Sequence, residues 1–270
     1  MEKTDRIAKL FSSCRTEGRS AFIAYVCACD PDFDTSLSVC RSLINNGVDI
    51  LELGVPFSDP LADGITNQLA AQRALESGCK QEDVFRLVEE IRKISEIPII
   101  FYTYYNLIFS QGVEEYVKKA SSVGLDGMLT LDLPPEECDE LFESCKMHDL
   151  KNIFIVAPTT PQDRIPLIVE KCSGFVYYVS REGVTGERSN LADDLSQKVS
   201  TIKMHTDLPV VVGFGISSSD HVSEVAKIAD GVVVGSALVK CIPENLEEPD
   251  LIVKKIGQKA KSLSSGLYLS

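Results

Sequence analysis

The sequence lacks any run approaching the ~18 apolar residues that a membrane helix needs. It has no surplus of basic residues: 27 Lys and Arg stand against 40 Asp and Glu, a formal charge of −13. A surface that acidic repels phosphate backbones, which argues against nucleic acid as a partner. A small phosphorylated ligand is still allowed, because backbone amides can hold one locally. No C-x-x-C pair occurs among the nine scattered cysteines. They read as reduced thiols, several filling core positions, rather than as a disulfide frame. Cys27 and Cys29, two apart, read the same way rather than as a redox or metal pair. The start, MEKTDRIAKLFSSC, is charged and without the apolar stretch of a signal peptide, so a cytoplasmic protein is expected. No Gly- or Ser-rich linker divides the 270 residues, which read as one domain, 1–270.

What is present is a repeated alternation. Short β-branched runs lie at 21–29, 48–53, 97–104, 127–131, 152–157, 175–180, 208–214 and 231–235. Their spacing averages roughly 30 residues, the size of one βα unit. Amphipathic stretches such as 81–94, 113–124 and 219–229 separate them. Near-continuous apolar strands alternating with helices imply a parallel sheet buried on both faces. Eight such units predict an α/β fold of the closed (β/α)8 TIM barrel kind. The segment 4–16 reads as an extra N-terminal helix capping the barrel bottom.

In such a barrel, chemistry belongs at the carboxyl ends of the strands. The second strand runs into LELGVPFSDPLADG (51–64). Alternation turns Leu51 and Leu53 outward and Glu52 into the barrel. A carboxyl there loses water, which raises its pKa toward the range where it can give and take a proton. The plainer reading is a Glu paired with a buried base, but no Arg or Lys ends a neighbouring strand. Asp63 follows in the loop, flanked by Pro60 and Gly64, where a carboxylate is as readily a turn-former. The last three strand ends carry glycine in REGVTGERSN (181–190), VGFGISSSD (212–220) and VVGSALVK (233–240). Gly235 and Ser236 open the final helix directly. Such loops form the recurrent phosphate site of this fold. No Walker G-K-[ST] is present, so a nucleotide triphosphate is not implied.

Other absences narrow the reaction. The lysines sit on helices or at strand beginnings, as Lys151 does, and not inside the barrel where a Schiff base needs one. His148, His205 and His221 fall in helical or pre-strand segments, so no metal site is expected. What remains is metal-free acid–base chemistry by carboxylates on a phosphorylated substrate.

These motifs together resemble the tryptophan synthase alpha subunit family from about residue 5 to 262. LELGVPFSDPLADG carries most of the likeness, backed by DLPPEE (132–137), SREGVTG (180–186), GFGIS (213–217) and VGSALV (234–239). The resemblance implies retro-aldol cleavage of indole-3-glycerol phosphate to indole and glyceraldehyde 3-phosphate. It implies that indole passes to a PLP-dependent beta subunit in an α2β2 heterotetramer, with no cofactor in this chain. Glu52 matches the family's proton-shuttling glutamate and Asp63 its partner at the indole nitrogen, where charge develops. Gly186, Gly215 and Gly235, with Phe214 and Ser236, match the phosphate cradle. Thr185 matches a loop threonine that closes over the site and fixes Asp63, and Tyr25 and Tyr177 match substrate-lining positions. Pro56, Phe57, Ser58, Asp59 and Pro60, together with Asp132, Pro134 and Pro135, match surfaces facing the beta subunit.

Several positions depart from the family pattern. The first strand ends CACDP (27–31), where a small polar residue and glycine usually precede Asp-Pro. Ile65 replaces a proline, Asn67 replaces an apolar residue, and Tyr102 and Leu131 are bulkier than the usual pocket wall. These departures keep open an alternative, a weakly active barrel that acts mainly as an allosteric activator of the beta subunit. Other phosphate-binding barrels of the pathway, such as indole-glycerol-phosphate synthase, share the glycine cradle but not the paired Glu52 and Asp63.

Overall fold

The computed structural model describes residues 4–179, 188–213 and 215–267, with the backbone alone over 188–194. Thr185, Gly186 and Phe214 lie outside the described residues. Nine parallel strands form one sheet: β1 (Ala21–Cys27), β2 (Ile50–Gly54), β3 (Ile99–Thr103), β4 (Gly127–Thr130), β5 (Lys151–Ile153), β6 (Ile155–Val156), β7 (Val176–Val179), β8 (Val210–Gly213) and β9 (Gly231–Val234). The hydrogen-bonded order is β5-β4-β3-β2-β1-β9-β8-β7-β6. Its two ends, β5 and β6, are consecutive in the chain, so the backbone itself closes the cylinder.

The expected eight strands are thus nine pieces, because the fifth run divides at Phe154. Residues before it pair with β4, as Ile153 does with Leu129. Residues after it pair with β7, as Ile155 does with Tyr177. The strand changes neighbours without turning, and the architecture is the TIM barrel that the alternation predicts.

Period-two alternation decides what lies on each face. Ile23, Ile50, Ile100, Leu129, Ile153 and Val233 fill the barrel interior. Ala24, Leu51, Leu53, Phe101 and Val232 face the surrounding helices. Helix α1 (Arg6–Glu17) begins where the Asp5 side chain accepts from the Ala8 N–H and ends at Gly18, whose φ of 68° suits the left-handed cap. Its Ile7, Phe11 and Cys14 repeat at helical spacing on one face and pack into the interior cluster, plugging the bottom of the barrel. Phe11 meets Phe175 edge-on at 5.8 Å.

Helix α2 (Phe33–Asn45) packs on the outside, and α3 (Ile65–Glu76) follows the loop after β2. The helix opened by Gly235 and Ser236 is a single turn, Ser236–Val239. The final helix is Pro249–Ser264, so the expectation that Gly235 opens it is corrected. Among the described residues no helix is long and apolar enough to cross a membrane.

Candidate active site

Strand β2 places Glu52 level with Tyr25 of β1 on one side and Ile100 of β3 on the other. Its side chain points inward, is fully buried, and has both carboxylate oxygens without a hydrogen-bond partner among the described residues. The plainer reading, a glutamate paired with a buried base, therefore fails among those residues. Loss of water, with a smaller push from the charge of Asp63, raises the Glu52 pKa from its usual 4.5 to about 8.

Asp63 stands in the loop between β2 and α3, in a turn closed by its N–H donating to the Pro60 carbonyl at 3.0 Å. Among the described residues three donors converge on its carboxylate. The Tyr102 hydroxyl donates to Oδ1 at 3.0 Å and the Tyr104 hydroxyl to Oδ2 at 2.7 Å. The Asn67 amide donates to Oδ1 at 3.3 Å. The Tyr104 oxygen also accepts from the Ala62 N–H at 3.1 Å, stitching the loop to the end of β3. Tyr104 was not foreseen. Its signal lies in the run YTY, where period two puts Tyr102 and Tyr104 on the same side.

Glu52 and Asp63 line one cavity of about 840 Å³ at the carboxyl ends of the strands. Tyr25 and Tyr177 stand in its wall, and burial lifts both hydroxyls well above the usual tyrosine range, so they remain neutral donors. Each ring lies across a glycine of the next strand. A Cβ on Gly54 would fall 2.4 Å from the Tyr25 hydroxyl oxygen, and one on Gly213 the same distance from that of Tyr177. The glycines are what let these rings cross the strand ends. Gly215, Gly235 and Ser236 line the same cavity. Two cations missed in the sequence, Lys240 and Lys259, join them there. The Lys259 ammonium donates to the Ser217 carbonyl at 2.8 Å.

The residues expected to face a partner form a rim beside this opening. Ser58, Asp59 and Asp132 are exposed, Phe57, Pro60 and Pro134 half-buried, and Pro56 and Pro135 buried. The Phe57 ring packs on Tyr104 at 5.0 Å, and the Asp132 carboxylate accepts from the Tyr105 N–H at 2.7 Å. The loops after β2, β3 and β4 are thereby joined to one another and, through Tyr104, to Asp63.

The departures from the family pattern fall into place around this site. Cys29 has φ +62°, a left-handed conformation that favours glycine. Its thiol is hydrogen-bonded to Cys79, which keeps it protonated. Leu131 joins the interior cluster, whereas Ile65 is 67% exposed at the first turn of α3. His148 pairs with Glu114 at 2.6 Å on the outside of the barrel.

The family model described as "Tryptophan synthase alpha chain" matches residues 11–267. A protein named tryptophan synthase alpha chain from Opitutus terrae is 59% identical over 261 residues, covering 97% of this chain and 98% of that one. Mycobacterium tuberculosis tryptophan synthase superposes with a TM-score of 0.89 at 35% identity, over 99% of this chain and 100% of that one. The tryptophan synthase complex of Pyrococcus furiosus gives 0.82 at 37% identity, over 91% and 98%.

Proposed function

The chain belongs to the tryptophan synthase alpha chain family, and on that premise we propose how its residues divide the family's reaction. It is a lyase of tryptophan biosynthesis that cleaves indole-3-glycerol phosphate. One observation carries the assignment of roles: Glu52, fully buried and without a hydrogen-bond partner among the described residues, shares a cavity with Asp63, whose carboxylate accepts from Tyr102, Tyr104 and Asn67.

Glu52, protonated near neutral pH, gives its proton to C3 of the indole ring. The resulting carboxylate takes the proton of the glycerol hydroxyl beside that carbon. The C–C bond then breaks, its electrons return to the ring, and the alcohol carbon leaves as the aldehyde of glyceraldehyde 3-phosphate. A group whose pKa lies near the working pH suits both transfers. Asp63 faces the ring nitrogen, accepts a hydrogen bond from its N–H and stabilises the positive charge that develops there. Tyr25 and Tyr177 shape the slot for the ring, and Gly215, Gly235 and Ser236 receive the phosphate. Thr185, Gly186 and Phe214 complete the family's set. No step as written requires a cofactor in this chain, and the pyridoxal phosphate of the assembled enzyme belongs to its partner.

The family works with a beta subunit. The rim formed by Phe57 to Pro60 and Asp132 to Pro135 is its docking face, in an α2β2 assembly in the cytoplasm. Support comes from Leu61, Ile65 and Leu69, which are apolar, exposed and follow Pro60 closely in the chain. A barrel that serves mainly as an activator is not favoured, since both carboxylates and the cavity between them are kept. The decisive experiment is indole release from indole-3-glycerol phosphate by the purified chain, alone and with a beta subunit. Release above the buffer rate is expected in both, faster with the partner. No release in either arm ends this reading. Light scattering of the mixture reads the assembly, and any mass other than a heterotetramer's corrects the stoichiometry.

A further inference from the structure

A loop carboxylate has no strand to aim it, so the groups that hold Asp63 decide where it points. Of the three described donors, Asn67 sits on the first turn of α3, in the segment that continues the loop. Tyr104 lies just past the end of β3 and is itself tied to the loop through Ala62. Tyr102 alone belongs to a barrel strand. Its backbone is in register with Gly54 of β2 and Leu129 of β4. Its ring stands edge-on to Tyr25, with centroids 4.9 Å apart and planes at 69°. Packing therefore fixes the phenol before any ligand arrives, and burial keeps its hydroxyl a donor.

We infer that Tyr102 is a positioning residue for the lyase reaction, aiming the Asp63 carboxylate from the rigid barrel and selecting the oxygen that meets the substrate. The inference rests on the roles proposed above. A carboxylate has about four acceptor directions, two on each oxygen. On Asp63, Oδ1 takes both Tyr102 and Asn67, while Oδ2 takes Tyr104. Among the described residues the remaining direction is on Oδ2, which is thus the oxygen presented to the ring N–H. The Asn67 Oδ1 atom is buried without a donor among the described residues, a second acceptor on a residue that lines the same cavity. Buried acceptors are ordinarily satisfied, so an unmet one at a cavity wall marks where a ligand donor belongs.

Tyr102→Phe removes the hydroxyl and keeps the ring, which preserves the contact with Tyr25. For cleavage of indole-3-glycerol phosphate, kcat is expected to fall between about tenfold and a hundredfold, the scale of a misplaced reacting group. KM should stay within about twofold, because the phosphate contacts are untouched. The Kd of glycerol 3-phosphate, which has the phosphate end and no ring, should not change. An activity-independent readout is the carbon-13 resonance of the Asp63 carboxylate, which should move in the variant. Unchanged kcat, an unmoved resonance, or weakened glycerol 3-phosphate binding in step with kcat would each overturn the inference. A wild-type chain without turnover removes the proposed roles instead, and the resonance still decides whether Tyr102 holds Asp63.

Discussion

Glu52 and Asp63 lie on one short stretch of chain and line one cavity, yet they are held in opposite ways. Glu52 sits on a strand and receives no hydrogen bond from the described residues; its surroundings act by excluding water. Asp63 sits in a loop and is gripped by three described side chains, two from the end of β3 and one from the helix that follows the loop. The strand needs no help to aim a side chain, so the barrel can leave Glu52 unpaired and use desolvation to set its proton affinity. The loop has no such rigidity, so its carboxylate is aimed by donors. The difference separates two tasks: moving a proton and fixing a charge.

The largest effect should come from removing the first task. Glu52→Gln has nearly the same volume and no titratable proton, and turnover should fall on the order of 10²–10⁴-fold, the usual scale of general acid–base catalysis. Thermal unfolding at neutral pH should show a chain at least as stable as wild type, since the variant has no carboxyl that must take up a proton on folding. Equal indole release by wild type and variant would remove Glu52 from the mechanism. Asp63→Asn is expected to cost somewhat less, on the order of 10²–10³-fold in kcat, the range seen when one preorganised electrostatic partner is lost. Here the amide nitrogen would face a tyrosine hydroxyl that now donates to a carboxylate oxygen. If the Asp63→Asn loss exceeded that of Glu52→Gln, the division of tasks would have to be reversed.

The contrast is sharpened by pH. Glu52 keeps its proton in the folded chain up to about pH 8, whereas in the unfolded chain it loses it near 4.5. Between those values the folded state binds more protons, so the contribution of Glu52 to stability falls as pH rises, and it is constant above about pH 8. Urea unfolding of wild type and Glu52→Gln at a series of pH values should diverge by a few kcal/mol, roughly, across that window. Parallel curves would mean that Glu52 is not desolvated in solution. Turnover should decline above about pH 8 as the acid form is lost.

The strand half of this contrast was legible in the sequence, and the loop half only in part. Period two in ILEL turns Glu52 inward whatever the rest of the chain does. The apolar spacing of Ile7, Phe11 and Cys14 likewise predicts a buried face on α1. The carboxylate pair was visible as well, through the 51–64 motif. The grip on Asp63 was not, because Tyr102 and Tyr104 are some forty residues further on and reach it through space. Tyr102 and Asn67 read in the sequence as two unrelated departures from a family pattern, and only the fold brings them to one oxygen. The division of the fifth strand at Phe154 has the same origin. Which neighbour a residue pairs with is set by closure of the whole barrel, not by local pattern.

The smallest expected effect tests the loop side alone. Ile65 is the first helical residue of α3, preceded by Gly64 at φ −74° and ψ 160°. That extended geometry is what a residue before proline adopts. Proline is favoured at a first helical position, where the missing N–H has no partner within the helix. Ile65→Pro should therefore stabilise the chain by about 0.4–1 kcal/mol by restricting the unfolded state. A urea midpoint that drops would show that the Ile65 amide or side chain is needed. Because the change stiffens the segment carrying Asp63 and leaves β2 alone, the pH window set by Glu52 should stay where it is. The dependence of turnover on the partner should weaken, since part of the ordering of the loop would be built in beforehand. If turnover of the isolated chain did not rise relative to the assembled one, the tyrosine grip would already be sufficient to hold Asp63 in place.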